Sequence, residues 1–261
     1  MKKNEDIVEL SNLRIRNDFS RVAYAYKKYR LDYPEHAYEL INEFCPQNDS
    51  KVLDIGCGTG IVTRHLAKYY SNVIGVDKEF GMLKIAQNDS SKGLVFIRSL
   101  VENLPFCEGT FDLITVGTAY HWFDYTIAGK EIYRVLKSTG KLCVFSKNAR
   151  EDGSKAYLPL FAYHNLLKFI PEIPKANKEP IGENTFSRVG FSNVVNKIFD
   201  FDEVYSKEEI LGYLESHSTF NLLDENQKKE YMKKNEESVS GQLVGGKYVF
   251  KSRMNMWFVS K

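Results

Sequence analysis

The sequence predicts an α/β protein with a mainly parallel β-sheet and helices on both faces. Three observations support this prediction. Short apolar stretches alternate with helical patterns over residues 51–146, as they do in βαβ units. A glycine-rich turn at residues 56–60 lies between the first strand pattern and the helical pattern that follows it. A strand pattern at residues 248–259 ends the sequence, and we expect it to run antiparallel beside the parallel strands.

Each element follows from a local pattern. Apolar and aromatic residues recur at helical spacing over residues 18–30, and Pro34 opens a second helix that Pro46 ends. Ser206 and Glu209 form the capping box of a later helix. The predicted strands are residues 51–55, 73–76, 94–97, 111–116, 141–146, 194–201 and 248–259. The predicted helices are residues 18–30, 35–44, 61–70, 80–88, 127–136, 156–169, 206–216 and 224–237, with a turn at residues 138–140 and a helix end at residues 186–191, capped by Gly190.

Length and composition narrow the class of protein. The 261 residues are predicted to form one domain, with a binding core at residues 47–148 between residues 1–46 and residues 149–261. The formal net charge of +2 argues against a nucleic-acid surface, which usually carries a strong basic excess. The four cysteines form no C-x-x-C pair, so we expect neither a zinc site nor a disulfide framework. The first ten residues are polar and no apolar run could span a bilayer, so we expect a cytoplasmic protein without a secretory signal.

The glycine-rich turn is the first candidate binding site. Residues 52–60 read V-L-D-I-G-C-G-T-G, in which Gly56, Gly58 and Gly60 permit unusual dihedrals and a close approach to a ligand. The third glycine comes one residue too early for the G-x-G-x-x-G fingerprint of dinucleotide-binding proteins. Asp54 would crowd a pyrophosphate but suits a ligand that carries an ammonium group. An ordinary tight turn between a strand and a helix is the alternative.

This pattern resembles motif I of the class I S-adenosylmethionine (SAM)-dependent methyltransferases. The resemblance implies a Rossmann-like methyltransferase sheet with SAM as cofactor and S-adenosylhomocysteine as product. It also implies that Asp54, Cys57 and the three glycines lie at the cofactor. The remaining segments of the sequence add to this resemblance.

Asp77 ends the second predicted strand, 17 residues after Gly60. In Rossmann-type proteins an acid about 20 residues past the glycines accepts the ribose hydroxyls. A helix N-cap is the alternative for Asp77, and the two roles are compatible. Lys78 and Met82, which follow Asp77, complete this part of the expected cofactor site.

Residues 101–106 read V-E-N-L-P-F and follow the third strand. They resemble the A-E-x-L-P-F stretch of the family, where the adenine lies. The resemblance implies that the Val101 backbone N–H meets a ring nitrogen and that Glu102 lies near the exocyclic amine. Many members have an acid two residues before this glutamate, whereas this chain has Leu100. A solvated loop charge is the alternative for Glu102.

The N-terminal segment has the pattern A-x-x-Y-x-x-x-R-x-x-Y-P between Ala23 and Pro34. It resembles a stretch of small-molecule methyltransferases such as trans-aconitate methyltransferase and its relatives, with Leu31 in place of the family's proline. The resemblance implies that Tyr26 and Arg30 hold the SAM carboxylate. It further implies that the segment forms a helical lid and that Tyr33 lines the substrate pocket. A buried helix face and a surface charge are the alternatives. The alternation of strands and helices breaks after Asn148, which predicts a cap insertion in the residues that follow.

Residues 117–124, G-T-A-Y-H-W-F-D, follow the fourth strand. They contain neither the N/D-P-P-Y/F motif of base-amino methyltransferases nor the Pro-Cys pair of cytosine methyltransferases. They resemble the A-F-H-W-F-D segment of the trans-aconitate-like group. The resemblance implies that Thr118 contacts the cofactor and that Tyr120, His121 and Trp122 line the substrate pocket. His121 is the candidate catalytic residue, because histidine exchanges protons readily near neutral pH, and a structural histidine is the alternative.

These matches predict SAM-dependent methyl transfer to a small-molecule acceptor by in-line displacement. A SAM-binding sensor or regulatory protein without methyl transfer is the alternative function. A dehydrogenase is disfavoured by the glycine spacing, and RNA methylation by the lack of a basic excess. No metal, nucleic acid or membrane is expected to take part, and the protein is expected to be a monomer or a homodimer.

Overall fold

The computed structural model describes residues 18–88, 94–150, 158–170 and 179–261, without the side chains of residues 158–161 and 163. The chain divides into two compact units. The first, which we call the sheet unit, contains the described residues of 32–148, 176–199 and 253–261. The second, the helical unit, contains those of 1–31, 149–175 and 200–252. The described residues of the predicted lid up to Leu31 and those at the start of the predicted cap belong to the helical unit, and the expectation of one domain stays a prediction.

The described residues form seven strands, nine α-helices and three short 3-10 helices. The strands are β1 (Lys51–Ile55), β2 (Asn72–Asp77), β3 (Val95–Arg98), β4 (Phe111–Gly117), β5 (Leu136–Ala149), β6 (Ser192–Ser206) and β7 (Lys247–Ser260). The α-helices are α1 (Ala23–Tyr29), α2 (Glu35–Phe44), α3 (Ile61–Leu66), α4 (Phe80–Asn88), α5 (Tyr125–Val135), α6 (Leu158–Leu167), α7 (Glu183–Ser187), α8 (Lys207–Glu215) and α9 (Glu225–Ser240). The 3-10 helices are Phe19–Val22, Tyr120–Trp122 and Ser218–Leu222.

The sheet has the strand order β3-β2-β1-β4-β5-β7-β6. The first five strands in this order pair in parallel. In the sheet unit, Ser192 of β6 hydrogen-bonds to Ser260 of β7, and Asn196 to Met256, so these two strands run antiparallel. The predicted α/β fold, a Rossmann-like methyltransferase sheet with helices on both faces and a C-terminal antiparallel strand, is confirmed. The strand order reverses between β1 and β4, which is the position where open α/β sheets bind ligands.

The core of the sheet unit explains why these segments form strands and helices. Leu53 of β1 and Ile114 of β4 are fully buried, as expected for strands that are covered on both faces. On α5, the buried residues recur at helical spacing and form one apolar face. Asp124 caps this helix by accepting hydrogen bonds from the backbone N–H groups of Thr126 and Ile127. Burial of each large apolar side chain contributes about 1.5–3 kcal/mol.

The helical unit has its own core. Its buried members include Tyr205, Ile210 and Tyr231. The predicted capping box is present, because the Ser206 N–H donates to Glu209 Oε2 and the Glu209 N–H donates to Ser206 Oγ. None of the helices formed by the described residues has the length and hydropathy needed to cross a lipid bilayer.

Several element boundaries differ from the predictions, and two of these differences have a clear structural reason. The helix expected over residues 61–70 ends at Leu66, because the last turn tightens into i to i+3 bonds such as that from the Tyr69 N–H to the Leu66 carbonyl. The separate turn expected at residues 138–140 is an irregularity within β5. Phe111 pairs with Leu136 but Leu113 pairs with Lys141, so β5 takes up the extra residues and remains a strand.

Candidate functional site

The glycine-rich turn connects β1 to α3 in a backbone conformation that favours glycine. The φ angles of Gly56, Gly58 and Gly60 are 68°, 55° and 81°. A Cβ on Gly56 would lie 2.6 Å from the Cβ of Ala119, whereas a Cβ on Gly58 would have no neighbour within 4 Å. The turn is therefore packed against the protein at Gly56 and open at Gly58, where a ligand has room to approach the backbone.

Asp54 lies beneath this turn and is 1% exposed. Its carboxylate accepts hydrogen bonds from Thr63 Oγ1 at 2.6 Å and from Thr115 Oγ1 at 3.1 Å. Burial raises the pKa of the Asp54 carboxyl to about 7, although the two threonine bonds oppose the shift. Asp54 thus joins β1, β4 and α3, and its predicted role toward a ligand ammonium group stays a prediction.

Asp77, at the end of β2, holds the glycine-rich turn from the other side. Its Oδ2 accepts the Gly58 N–H and its Oδ1 accepts the Glu79 N–H, both at 2.8 Å. Burial raises the pKa of the Asp77 carboxyl above its ordinary value. The Ser99 N–H donates to the Asp77 carbonyl at 3.0 Å. One residue therefore joins the glycine-rich turn, the start of α4 and the loop after β3, and the two predicted roles of Asp77 are compatible in this geometry.

The other residues predicted near the cofactor differ in exposure. Lys78 is exposed, but the side chains of Cys57, Met82 and Val101 are buried. Any contact of a ligand with Cys57 or Val101 in this conformation therefore involves the backbone. Glu102 is half-buried, between buried Val101 and the exposed loop position Asn103.

The end of β4 brings two predicted residues together. Thr118 has a φ of 50°, which is uncommon for a residue other than glycine. Its N–H donates to the Phe145 carbonyl at 2.7 Å, and its Oγ1 accepts the Tyr33 hydroxyl at 2.8 Å. The Tyr33 ring packs edge-on against Phe145, with 4.9 Å between the ring centroids. The hydroxyls of Tyr33 and Thr118 therefore meet at the carboxyl edge of the sheet, as the prediction requires of residues in one site.

The 3-10 helix after Thr118 contains the three aromatic residues that are predicted to line the substrate pocket, and their burial differs. His121 and Trp122 are half-buried, and their ring centroids lie 5.2 Å apart. Tyr120 is 1% exposed and packs in the core against Tyr125 and Phe186. In this conformation the Tyr120 ring belongs to the core, and its predicted role as a wall of the substrate pocket stays a prediction.

Tyr26 and Arg30 belong to the helical unit. The Arg30 guanidinium lies over the Tyr26 ring at 5.1 Å and over the Tyr213 ring at 4.4 Å. Arg30 Nε donates to Ser216 Oγ at 2.7 Å. Arg30 is therefore not a simple surface charge, and its predicted contact with the SAM carboxylate stays a prediction.

Sequence reasoning missed a histidine cluster next to Tyr33. The ring of His65 is buried and stacks on Tyr38 at 3.6 Å. Its Nδ1 lies 2.8 Å from Asp32 Oδ2, and its Nε2 lies 3.1 Å from Glu35 Oε2. These contacts hold Asp32 and Glu35, which come before and after Tyr33 in the sequence. The signal in the sequence was a histidine on the apolar face of α3, which a motif search does not single out.

The described residues contain no group of three or more histidine, cysteine, aspartate or glutamate side chains placed to hold a metal ion. The polar groups at the site are instead backbone N–H groups, hydroxyls and two carboxylates. They lie along the carboxyl edge of the sheet on both sides of the switch between β1 and β4. This arrangement can bind a polar organic ligand by hydrogen bonds.

Comparisons with known proteins identify the family of this chain. Residues 53–144 match the model of a family described as a methyltransferase domain. A protein of Schizosaccharomyces pombe named as an uncharacterized methyltransferase is 30% identical over 207 residues, which are 78% of this chain and 80% of the relative. The chain belongs to the methyltransferases. A protein of Dictyostelium discoideum named as a putative methyltransferase is 26% identical over 208 residues, which are 77% of each chain. The sequence-based prediction of the family is thereby confirmed.

A solved structure shows that the likeness extends to the fold of this methyltransferase. Phosphoethanolamine N-methyltransferase 2 of Haemonchus contortus, solved with bound SAM, superposes with a TM-score of 0.55 at 17% identity. The match covers 92% of this chain and 56% of the other.

Proposed function

We propose that this methyltransferase transfers the methyl group of SAM to a small-molecule acceptor. The observation that supports the proposal most is the meeting of three segments at Asp77. Its carboxylate accepts the Gly58 N–H, and its carbonyl accepts the Ser99 N–H. A ribose bound at Asp77 would then have the glycine-rich turn on one side and the predicted adenine loop on the other.

The reaction is an in-line displacement. The acceptor nucleophile attacks the methyl carbon, the carbon–sulfur bond breaks, and its electron pair stays on sulfur as S-adenosylhomocysteine forms. The sulfonium charge disappears during this step, so a site that excludes water favours transfer. Holding nucleophile, methyl and sulfur in line supplies much of the acceleration, because oriented reactants gain several orders of magnitude.

The acceptor side is proposed at the end of β4. Tyr33 lies there with its hydroxyl bonded to Thr118, which is proposed to contact the cofactor, and Trp122 offers an aromatic face that would attract the sulfonium. His121 is proposed to orient the nucleophile or to take its proton. The segment contains no motif for methylation of nucleic-acid bases, which supports a small acceptor.

The test is a screen of small carboxylic acids, phenols and amines, in which release of S-adenosylhomocysteine is measured with the full chain. SAM binding is measured separately by calorimetry, with NAD as the control ligand. Turnover with one acceptor class supports the proposal. SAM binding without turnover on any acceptor favours the sensor function, and binding of NAD in place of SAM contradicts both.

A further inference from the structure

Two residues of α5 form a pair that holds the predicted adenine loop from behind. Arg134 Nε donates to Glu131 Oε2 at 2.8 Å, and Arg134 Nη2 donates to Glu131 Oε1 at 2.7 Å. This is the bidentate geometry in which arginine–carboxylate pairs are strongest. The contact lowers the pKa of Glu131 and raises that of Arg134, so both groups stay charged.

The pair does more than bridge two helix positions. The Leu104 N–H donates to Glu131 Oε1 at 2.8 Å. Arg134 Nη1 donates to the Phe106 carbonyl at 2.8 Å, and Nη2 donates to the Leu104 carbonyl at 3.2 Å. An exposed ion pair usually contributes little to stability. Here, however, three backbone groups of one loop depend on the two side chains.

The loop is held at its other end as well. The Ser99 N–H donates to the Asp77 carbonyl, and Ser99 Oγ donates to the carbonyls of Leu100 and Asn103. Residues 100–103 therefore lie between a segment bonded to Asp77 and a segment bonded to Glu131 and Arg134 of α5. This short stretch contains the two groups predicted to read the adenine, the Val101 N–H and the Glu102 carboxylate.

We propose that Glu131 and Arg134 are positioning residues for the base of the cofactor, an inference that rests on the proposed function. They do not touch the ligand. They fix Leu104 and Phe106, and thereby set the place of the Val101 N–H and of Glu102, which distinguish adenine from a base without the exocyclic amine. Arg134 is required as an arginine, because a lysine has one nitrogen and cannot serve Glu131 and two carbonyls in this geometry.

The inference is tested by measuring base preference with the full chain. Affinities for S-adenosylhomocysteine and for S-inosylhomocysteine, which has a carbonyl in place of the adenine amine, are determined for the wild type, Arg134→Met and Glu131→Gln. We expect the variants to bind S-adenosylhomocysteine about tenfold more weakly, the value of roughly one hydrogen bond. Binding of the inosyl compound should stay within about twofold, because the variants lose mainly the contacts that select adenine.

Arg188→Met is the matched control. Arg188 pairs with Glu179 at 3.0 Å in the same unit and is similarly exposed, so its removal should leave base preference unchanged. An unchanged preference in Arg134→Met, or an equal loss for both ligands with a lower melting temperature, overturns the inference. Failure of the wild type to bind either ligand contradicts the proposed function itself, so the two failures are distinguishable.

Discussion

At the scale of single residues, Asp77 is the residue on which the proposed cofactor site depends most. We expect Asp77→Ala to weaken SAM binding by about 1.5–3 kcal/mol, the value of a hydrogen bond to a charged group. The variant loses the proposed ribose contact together with the bond from the Gly58 N–H. Calorimetry with SAM measures the effect.

Asp124→Ala is the control for this substitution. Asp124 also accepts two backbone N–H groups at the start of a helix, so its loss should lower the melting temperature and leave SAM affinity unchanged. If a folded Asp77→Ala variant binds SAM as tightly as the wild type, Asp77 serves only as a structural cap.

His121 is the residue whose proposed role is most directly tested by kinetics. A positioned base contributes roughly 10²–10⁴-fold to a rate. We expect His121→Ala to bind SAM normally and to lose turnover to this extent on the acceptor that the screen identifies. Turnover within a few-fold of the wild type, with a lower melting temperature, would show that His121 is structural.

The sequence predicted individual site residues only where a motif surrounded them. The glycine-rich turn and Asp77 lie at the ends of β1 and β2, as the local patterns predicted, and their roles toward a cofactor stay predictions. Tyr120 was assigned to the substrate pocket because of its neighbours in the sequence, whereas its ring packs in the core. The partners Thr63 and Thr115 of Asp54 come from α3 and β4. A contact between segments so far apart leaves no local pattern.

At the scale of elements, Arg30 connects the end of α1 to α8 within the helical unit. It contacts the Tyr213 ring and Ser216 Oγ. We expect Arg30→Ala to lower the free energy of unfolding by about 1.5–3 kcal/mol, the value of a hydrogen bond to a charged group. Arg30→Lys should be intermediate, because a lysine keeps the charge and loses the planar fork.

Urea denaturation measures this loss, and an unchanged midpoint would contradict it. Calorimetry with SAM on the same two variants tests the separate prediction, from the resemblance, that Arg30 binds the SAM carboxylate. A variant that is destabilised but binds SAM normally assigns Arg30 to the packing of α1 on α8 alone.

Most elements were predictable because their signals are local. Strong apolar patterns predicted β1 and α4, and the Ser206–Glu209 capping box predicted the start of α8. The ends of elements were harder, since they depend on partners elsewhere. Gly140 reads as a turn in the sequence, yet its carbonyl accepts the Lys261 N–H from the last residue of the chain. The irregular part of β5 therefore remains within the sheet.

At the scale of the whole molecule, two buried groups give stability opposite dependences on pH. Burial raises the pKa of Asp54 to about 7, and burial together with nearby Arg30 lowers the pKa of His217 to about 3. The Asp54 contribution is fully present below the ordinary carboxyl value and is lost as the pH rises through about 7. The His217 contribution is present above the ordinary imidazole value and is lost as the pH falls through about 3.

Because the two pH dependences oppose each other, the contribution of Asp54 is measured as the difference in the free energy of unfolding between the wild type and Asp54→Asn. We expect the stability of the wild type relative to Asp54→Asn to fall by up to about 3 kcal/mol between pH 4 and pH 8, since asparagine does not titrate. Urea denaturation at several pH values without ligand measures the difference. A difference that stays constant with pH would contradict the assignment.

The division of the chain into two units was the feature of the whole molecule that the sequence did not predict. Each unit contains segments that are far apart in the sequence. Strands β6 and β7 each contribute residues to both units. The fold class was predictable because repeated βαβ patterns are sufficient for it.

The contact between Gly56 and Ala119 has a consequence for the order of events in the proposed reaction. In the proposed site the turn after β1 lies at the methyl donor and the turn after β4 lies at the acceptor, and a Cβ added at Gly56 would lie only 2.6 Å from the Cβ of Ala119. Closely packed segments do not move independently. A donor that orders the first turn therefore lowers the entropic cost of acceptor binding at the second, and linkage requires the acceptor to help the donor by the same factor. The two reactants are thus expected to bind cooperatively.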